Sequence, residues 1–272
     1  MRRLSNRVAV VTGAASGIGR ATAVTFAKRG CALAVADVDE AGLAQTAQLV
    51  AGTGATVTQH RVDVSDKQRM EAFASEVVEA HGRAHIIVNN AGVTTISGFE
   101  QHSLEDFEWV MSVNFWGVVY GCKFFLPHLQ REGWGSIVNI SSLFGIVGVA
   151  GQTSYCSSKF AVRGFSESLG VELSNQNIDV LSVHPGGVRT NIVRSARGLE
   201  DGEEHQRRIK WFDRIGIEPE DAAERIVSAV ERRRQRLLIT KETYAIDAFK
   251  RLIPTIPRPL AKLARRQARL DG

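Results

Sequence analysis

The chain has 272 residues, 34 Lys and Arg against 29 Asp and Glu, 44% hydrophobic residues and three cysteines. That length supports one sizeable core, and α/β chains of this size commonly fold as a single domain. Cys31, Cys122 and Cys156 have no metal-ligand spacing and an odd count. They exclude a disulfide framework and point to a reduced, cytoplasmic protein with no metal site.

The first apolar run, Val8 to Thr12, follows a short basic start and leads directly into Gly13. It reads as a first strand rather than a secretory leader. Further apolar runs predict strands at Ala32 to Ala36, Thr56 to Val62, His85 to Asn89, Ser136 to Ile140, Asp179 to His184 and Leu237 to Thr240. Helical patterns fall between them, near residues 17–30, 39–51, 66–81, 103–131, 154–175 and 220–234. This alternation predicts an α/β, doubly wound, Rossmann-type and mostly parallel seven-stranded sheet with helices on both faces. Right-handed crossovers would reverse direction after the third strand, opening a crevice at the strands' C-terminal edge. Residues 1–240 then form one domain, with a lid at about 191–218 and a basic amphipathic extension at 241–272. Asn139-Ile-Ser141 matches a glycosylation sequon, but inside an apolar strand it is accidental. No run reaches the ~18 apolar residues of a membrane-spanning helix.

Several residues carry chemistry. Gly13 suits a tight turn after the first strand, while Gly17 and Gly19, with Ser16 and Ile18 between and beside them, let a helix N-terminus approach a pyrophosphate. Asp37, eighteen residues beyond Gly19, ends the second strand, where a carboxylate accepts both adenosine ribose hydroxyls and repels a 2′-phosphate. Tyr155 and Lys159 lie at i and i+4, on one helix face, so the ammonium is expected to favour ionisation of the phenol toward neutrality. Ser142, thirteen residues before Tyr155, can hold a substrate oxygen against it. His184 at a strand end reads as a packed or hydrogen-bonded residue, and Cys156 as a packing residue rather than a nucleophile.

In this order, the glycine segment Thr12 to Gly19, Asn89-Asn-Ala-Gly92, Asn114, Ser142, Tyr155 with Lys159, and Pro185-Gly186 with Thr190 resemble the classical short-chain dehydrogenase/reductase family from about Val8 to about Thr240. The glycine spacing G-x-x-x-G-x-G is the one that family uses. The resemblance implies hydride transfer between a nicotinamide cofactor and a secondary alcohol or ketone. Its catalytic residues would be Asn114, Ser142, Tyr155 and Lys159. Asp63 and Val64 would contact adenine, and Asn90, Ala91 and Gly92 would lie along the cofactor. Pro185, Gly186, Val188 and Thr190 would position the nicotinamide, and Asn114 would hold a water that connects Lys159 to solvent. In phosphate-preferring relatives, Arg or Lys often stands where Ser16 and Val38 stand here, so NAD(H) is favoured over NADP(H). An NADP(H)-preferring carbonyl reductase is one alternative, and a non-catalytic nucleotide-binding regulatory protein is another.

The run Leu143 to Ala150, with Trp211 and Phe212 in the lid, suggests an apolar substrate. The family's habit implies a homo-oligomer, dimer or tetramer. Residues 225–272 hold thirteen Lys and Arg against four Asp and Glu. No nucleic-acid recognition pattern accompanies that charge. Ile246, Phe249 and Leu252, then Leu260, Leu263 and Leu270 beside Lys262, Arg265, Arg266 and Arg269, form apolar stripes. Packing on the body or on a second subunit is the favoured reading, with peripheral contact to an anionic membrane as the alternative.

Overall fold

The computed structural model describes residues 2–190, 192, 196–198 and 216–255. Seven strands form one sheet: β1 (Val8–Thr12), β2 (Ala32–Asp37), β3 (Val57–Arg61), β4 (Ile86–Asn89), β5 (Gly135–Ile140), β6 (Ile178–His184) and β7 (Arg236–Leu238). Their order is β3-β2-β1-β4-β5-β6-β7, and every pairing is parallel, so the sheet is wholly rather than mostly parallel. The chain steps outward from β1 to β3, then crosses back to place β4 on the other side of β1. Loops on either side of that reversal diverge, which leaves a crevice between the C-terminal ends of β1 and β4.

Among the described residues the α-helices are α1 (Gly17–Lys28), α2 (Glu40–Ala51), α3 (Lys67–His81), α4 (Leu104–Met111), α5 (Gly117–Arg131), α6 (Thr153–Glu172), α7 (Pro219–Glu231) and α8 (Lys241–Leu252). All five residues of β1 are buried, as expected of a central strand covered on both faces. Ala9 and Val11 enter one core with Phe26, Val50 and Ile226, under α1, α2 and α7. Val8 and Val10 enter the other with Phe73, Phe125 and Val162, under α3, α5 and α6. The period-two alternation of one short strand therefore supplies both layers.

The long helical pattern over 103–131 is one continuous rod with a five-residue π turn, Ser112–Trp116, between α4 and α5. Such turns concentrate at functional sites, and this one contains Asn114.

At the N-terminal edge of the sheet, Trp134 is covered by two guanidinium groups, Arg2 at 4.5 Å and Arg7 at 4.9 Å from the ring centroid. Buried His85 accepts from the Val8 N–H at 3.2 Å through Nδ1, and its Nε2 lies 3.4 Å from Glu132.

In α8, Phe249 and Leu252 of the apolar stripe face outward and Ile246 is half-buried. Thr243 and Asp247 are the buried residues, while Phe249 and Leu252 are exposed. Asp247 explains the orientation, because its carboxylate pairs with Arg236 of β7 and with Arg251. On the body of its own chain the helix therefore packs through its polar face and not through Phe249 and Leu252, while the expectation of packing on a second subunit concerns these two exposed side chains. Residues from Leu260 onward, and Trp211 and Phe212, lie outside the described residues. No helix among the described residues is long and apolar enough to cross a membrane.

Candidate active site

The glycine turn is built by close approach. Gly13 has φ +64°, and a Cβ there would stand 2.6 Å from Ala91 Cα; one on Gly19 would stand 2.1 Å from the Gly13 carbonyl oxygen. Asn90 holds the turn from β4, its Nδ2 donating to the carbonyls of Thr12 and Gly13, both at 3.0 Å. The N–H groups of Asn90 and Ala91 donate to Thr12 Oγ1.

The start of α1 differs from its neighbours in a way that fits a phosphate. In α2 and α3 the caps Asp39 and Asp66 accept backbone N–H groups. In α1 the cap Ser16 makes no such bond, and the first turn has no acidic residue. The positive end of the helix is left without an internal anion. Ile18 packs against the core beneath that turn.

Asp37 sits at the end of β2 beside this loop. One carboxylate oxygen accepts from Ala15 N–H at 2.8 Å, the other from Asp39 N–H at 3.1 Å. Asp37 is thus aimed at the glycine loop, and the helix cap is Asp39. Each oxygen retains a lone pair for a ribose hydroxyl. Arg20, which the sequence reading passed over, is the basic group nearest the loop in sequence. Its guanidinium is turned onto α2, donating to Thr46 Oγ1 at 3.0 Å, to the Gly42 carbonyl and Gln45 Oε1 at 3.1 Å, and to the Ala15 carbonyl.

Asp63 is exposed and accepts from the Ser65 backbone and hydroxyl, while Asp66 caps the following helix. Val64 is buried against Gly117, where a Cβ would meet it at 2.7 Å.

The catalytic candidates converge beyond β4, β5 and β6. Asn114 is fully buried and clamps the segment after Gly92, accepting from Val93 N–H at 2.8 Å and donating to the Val93 carbonyl at 2.9 Å and to Ser158 Oγ at 3.0 Å. A Cβ on Gly92 would come within 3.3 Å of Asn114 Oδ1 and 3.5 Å of Lys159 Nζ, so Asn114 and Lys159 flank one backbone point. Lys159 is buried, donates to the Ile140 carbonyl at 3.0 Å, and stands 5.6 Å from the centre of the Tyr155 ring. Burial lowers its pKa to about 8.

Tyr155 departs from the sequence expectation. Burial pushes its phenol up to about 12, with the Ser142 hydroxyl acting in the opposite sense. Desolvation of the phenolate is the largest cause, and the Ser142 hydroxyl offsets only part of it. The geometry therefore keeps Tyr155 protonated.

Ser142 leaves β5, caps a short 3₁₀ turn (Leu143–Gly145) and accepts from Phe144 N–H at 3.1 Å. That turn presses on α6: a Cβ on Gly145 would strike Ser141 Oγ at 2.3 Å and the Lys159 carbonyl oxygen at 2.7 Å. Phe144 meets Tyr155 edge-on at 6.1 Å. From the next strand, His184 Nδ1 donates to the Ser142 carbonyl at 3.1 Å, and its Nε2 accepts from Ser182 Oγ at 3.0 Å. His184 is fully buried, and that burial lowers its pKa to about 4, so it holds Ser142 as a neutral ring.

Pro185 and the residues after it run back toward the cofactor loop. The Pro185 carbonyl accepts from Leu143 N–H at 2.7 Å, Val188 bridges Ile217, and Thr190 lies over Gly17, 3.1 Å from where a Cβ would be. One connected set of contacts thus links the glycine turn, the Ser142 turn and the segment 185–190.

The model of the short chain dehydrogenase family matches residues 7–200. The chain belongs to this family. Among similar proteins of the family, SadH of Mycobacterium tuberculosis, named as a provisional oxidoreductase, is 42% identical over 257 residues, 93% of each chain. A short chain dehydrogenase/reductase of Burkholderia phymatum, in complex with NAD, matches with a TM-score of 0.87 at 30% identity, covering 94% of this chain and 99% of that one. An alcohol dehydrogenase of Thermococcus sibiricus, complexed with 5-hydroxy-NADP, matches with a TM-score of 0.75 at 29% identity, covering 86% and 96%. One of these neighbours is thus in complex with NAD and the other with 5-hydroxy-NADP.

Proposed function

We propose that this short chain dehydrogenase prefers NAD(H) and interconverts a secondary alcohol and a ketone with apolar substituents. The observation that carries the cofactor preference is Asp37, whose carboxylate faces the glycine loop from the end of β2. A 2′-phosphate there would meet a carboxylate, and Arg20, the nearest cation in sequence, is held by four acceptors on α2 and the loop. Val38 supplies no counter-charge.

The cradle for the dinucleotide is Gly13, Ser16, Gly17, Ile18 and Gly19 under the pyrophosphate, Asp37 at the ribose and Asp63 with Val64 at the adenine. Asn90 to Gly92 lie along it, Tyr155 and Lys159 at its nicotinamide ribose, and Pro185, Gly186, Val188 and Thr190 at its nicotinamide end. When bound, the nicotinamide supplies or accepts the hydride. The phenol of Tyr155 gives its proton to the ketone oxygen in reduction and recovers it in oxidation. Ser142 donates a hydrogen bond to the same oxygen and stabilises charge that develops on it. Lys159 and Asn114 connect that proton to solvent. Half-buried Phe144 against Tyr155, with half-buried Leu143 next to it in the chain, supports an apolar substrate. Exposed Trp116 stacking on Tyr120, and exposed Phe160, support self-association through α5 and α6.

Steady-state kinetics on a panel of secondary alcohols, with NAD⁺ and NADP⁺ in parallel, test this reading. The wild type is expected to favour NAD⁺ in kcat/KM by at least ~100-fold, from loss of ribose bonds plus repulsion. Asp37→Ala should narrow that ratio by about tenfold or more. A wild type that favours NADP⁺ contradicts the assignment of Asp37.

A further inference from the structure

Glu242 lies two residues beyond Thr240, where the sequence resemblance ends, yet its side chain reaches back into the site. Glu242 Oε1 accepts from the Gly187 N–H at 3.1 Å. A Cβ on neighbouring Gly186 would overlap Thr240 Oγ1 at 2.1 Å, Glu242 Oε1 at 2.6 Å and Thr243 Oγ1 at 2.7 Å. The first turn of α8 therefore sits directly on the backbone of the segment that follows β6, and glycine at 186 makes room for it.

The other contacts of that segment show what Glu242 completes. The Gly187 carbonyl accepts from Ile217 N–H at 3.0 Å, and Arg189 N–H donates to the Ile217 carbonyl at 3.0 Å. Pro185 is tied to Leu143, and Thr190 rests over Gly17. Between β6 and Thr190 the chain is thus gripped on its Ile217 side by backbone and on its α8 side by one carboxylate. The exposed Glu242 side chain is carried by a helix start that is itself fixed. Thr240 and Thr243 pair at 2.9 Å beneath it, and Asp247, one turn along, anchors the helix to Arg236 and Arg251. Burial alone would raise the Glu242 pKa, but hydrogen bonds from Thr240 and from the N–H groups of Glu242 and Gly187 hold it below its ordinary value.

We propose that Glu242 is a positioning residue for the nicotinamide end of the cofactor, acting through the Gly187 N–H to fix the backbone from Pro185 to Thr190. The proposal rests on the reading of that segment as the nicotinamide-facing one. It makes the C-terminal helix a working part of the site rather than an appendage.

ADP-ribose carries the adenosine and pyrophosphate of NADH but no nicotinamide, so the two ligands separate local positioning from general damage. Calorimetric titration of the full chain with each is expected to show Glu242→Ala weakening NADH about tenfold, with ADP-ribose within about twofold of wild type. Glu242→Gln, which keeps an acceptor oxygen, should restore NADH affinity to within about threefold. In the ligand-free protein, hydrogen exchange at the Gly187 amide should quicken in the Ala variant and recover in the Gln variant. Equal weakening of both ligands, unchanged affinity for NADH, or a Gln variant as weak as Ala would each overturn the role of Glu242. Thr190→Ala serves as the control. If it alone weakens NADH, the segment faces the nicotinamide and Glu242 does not position it; if neither variant does, both readings fall.

Discussion

Two histidines buried at opposite edges of the same sheet show how position assigns a role. His85 precedes β4 at the N-terminal edge, beside Arg7, Glu132 and the Trp134 ring; His184 ends β6 at the C-terminal edge, in contact with Ser142. In both, desolvation by burial lowers the pKa to about 4, so both are neutral rings above that pH. One ties the start of the sheet to its flanking cations and Trp134. The other fixes the backbone of Ser142, whose hydroxyl is proposed to hold the substrate oxygen. Identical chemistry in the imidazole does different work because parallel strands deliver every loop of one end to the crevice and every loop of the other end away from it.

The widest separation between the edges is expected from Tyr155→Phe and Trp134→Ala. Tyr155→Phe removes the proposed proton donor and should lower kcat by ~10³-fold while NADH affinity stays within about threefold, read by stopped-flow turnover and by titration. Trp134→Ala removes the ring under Arg2 and Arg7 and should cost about 2 kcal/mol of stability in urea unfolding, leaving kcat within about twofold. Loss of turnover in the Trp134 variant at a temperature where it remains folded would break the division between edges.

A smaller effect sharpens it. His184→Gln should reduce kcat about tenfold through misplacement of Ser142, whereas His85→Gln should leave kcat unchanged although it loosens the fold. Acid titration treats the two alike. Because both folded-state pKa values are depressed, the unfolded chain binds more protons between about pH 4 and 6.5. Stability is fully present above pH 6.5 and is lost as pH falls toward 4, by about 3 kcal/mol for His184. Urea unfolding between pH 7 and 4 should show this decline, and His184→Gln should flatten it.

Much of the fold was legible because parallel strands buried on both faces leave uninterrupted apolar runs, and each of the seven runs became a strand within two residues of its expected ends. The placement of Ser142, Tyr155 and Lys159 was legible for a local reason: helical spacing fixes i and i+4, and a strand end fixes the serine. What depends on packing was not legible. The π turn around Asn114 has no sequence marker, since Ser112 to Trp116 suit an α-helix equally well. The elevated pKa of Tyr155 comes from desolvation of the phenolate beside the Ser142 turn, which helical spacing does not report. Arg20 directly follows the glycines in sequence, and only the structure shows its guanidinium turned onto α2. Glu242 had a faint signal in Thr240-Lys-Glu-Thr243, a helix-start pattern, but nothing in that pattern names Gly187 as its partner.

Parallel titration of the wild type with NADH and NADPH, followed by calorimetry, tests the central claim most directly. Tighter binding of NADH by at least tenfold is the result expected from a carboxylate at Asp37 and an Arg20 held on α2. Equal or tighter binding of NADPH would contradict it, and absence of binding to either would contradict the assignment of the C-terminal edge as a dinucleotide site.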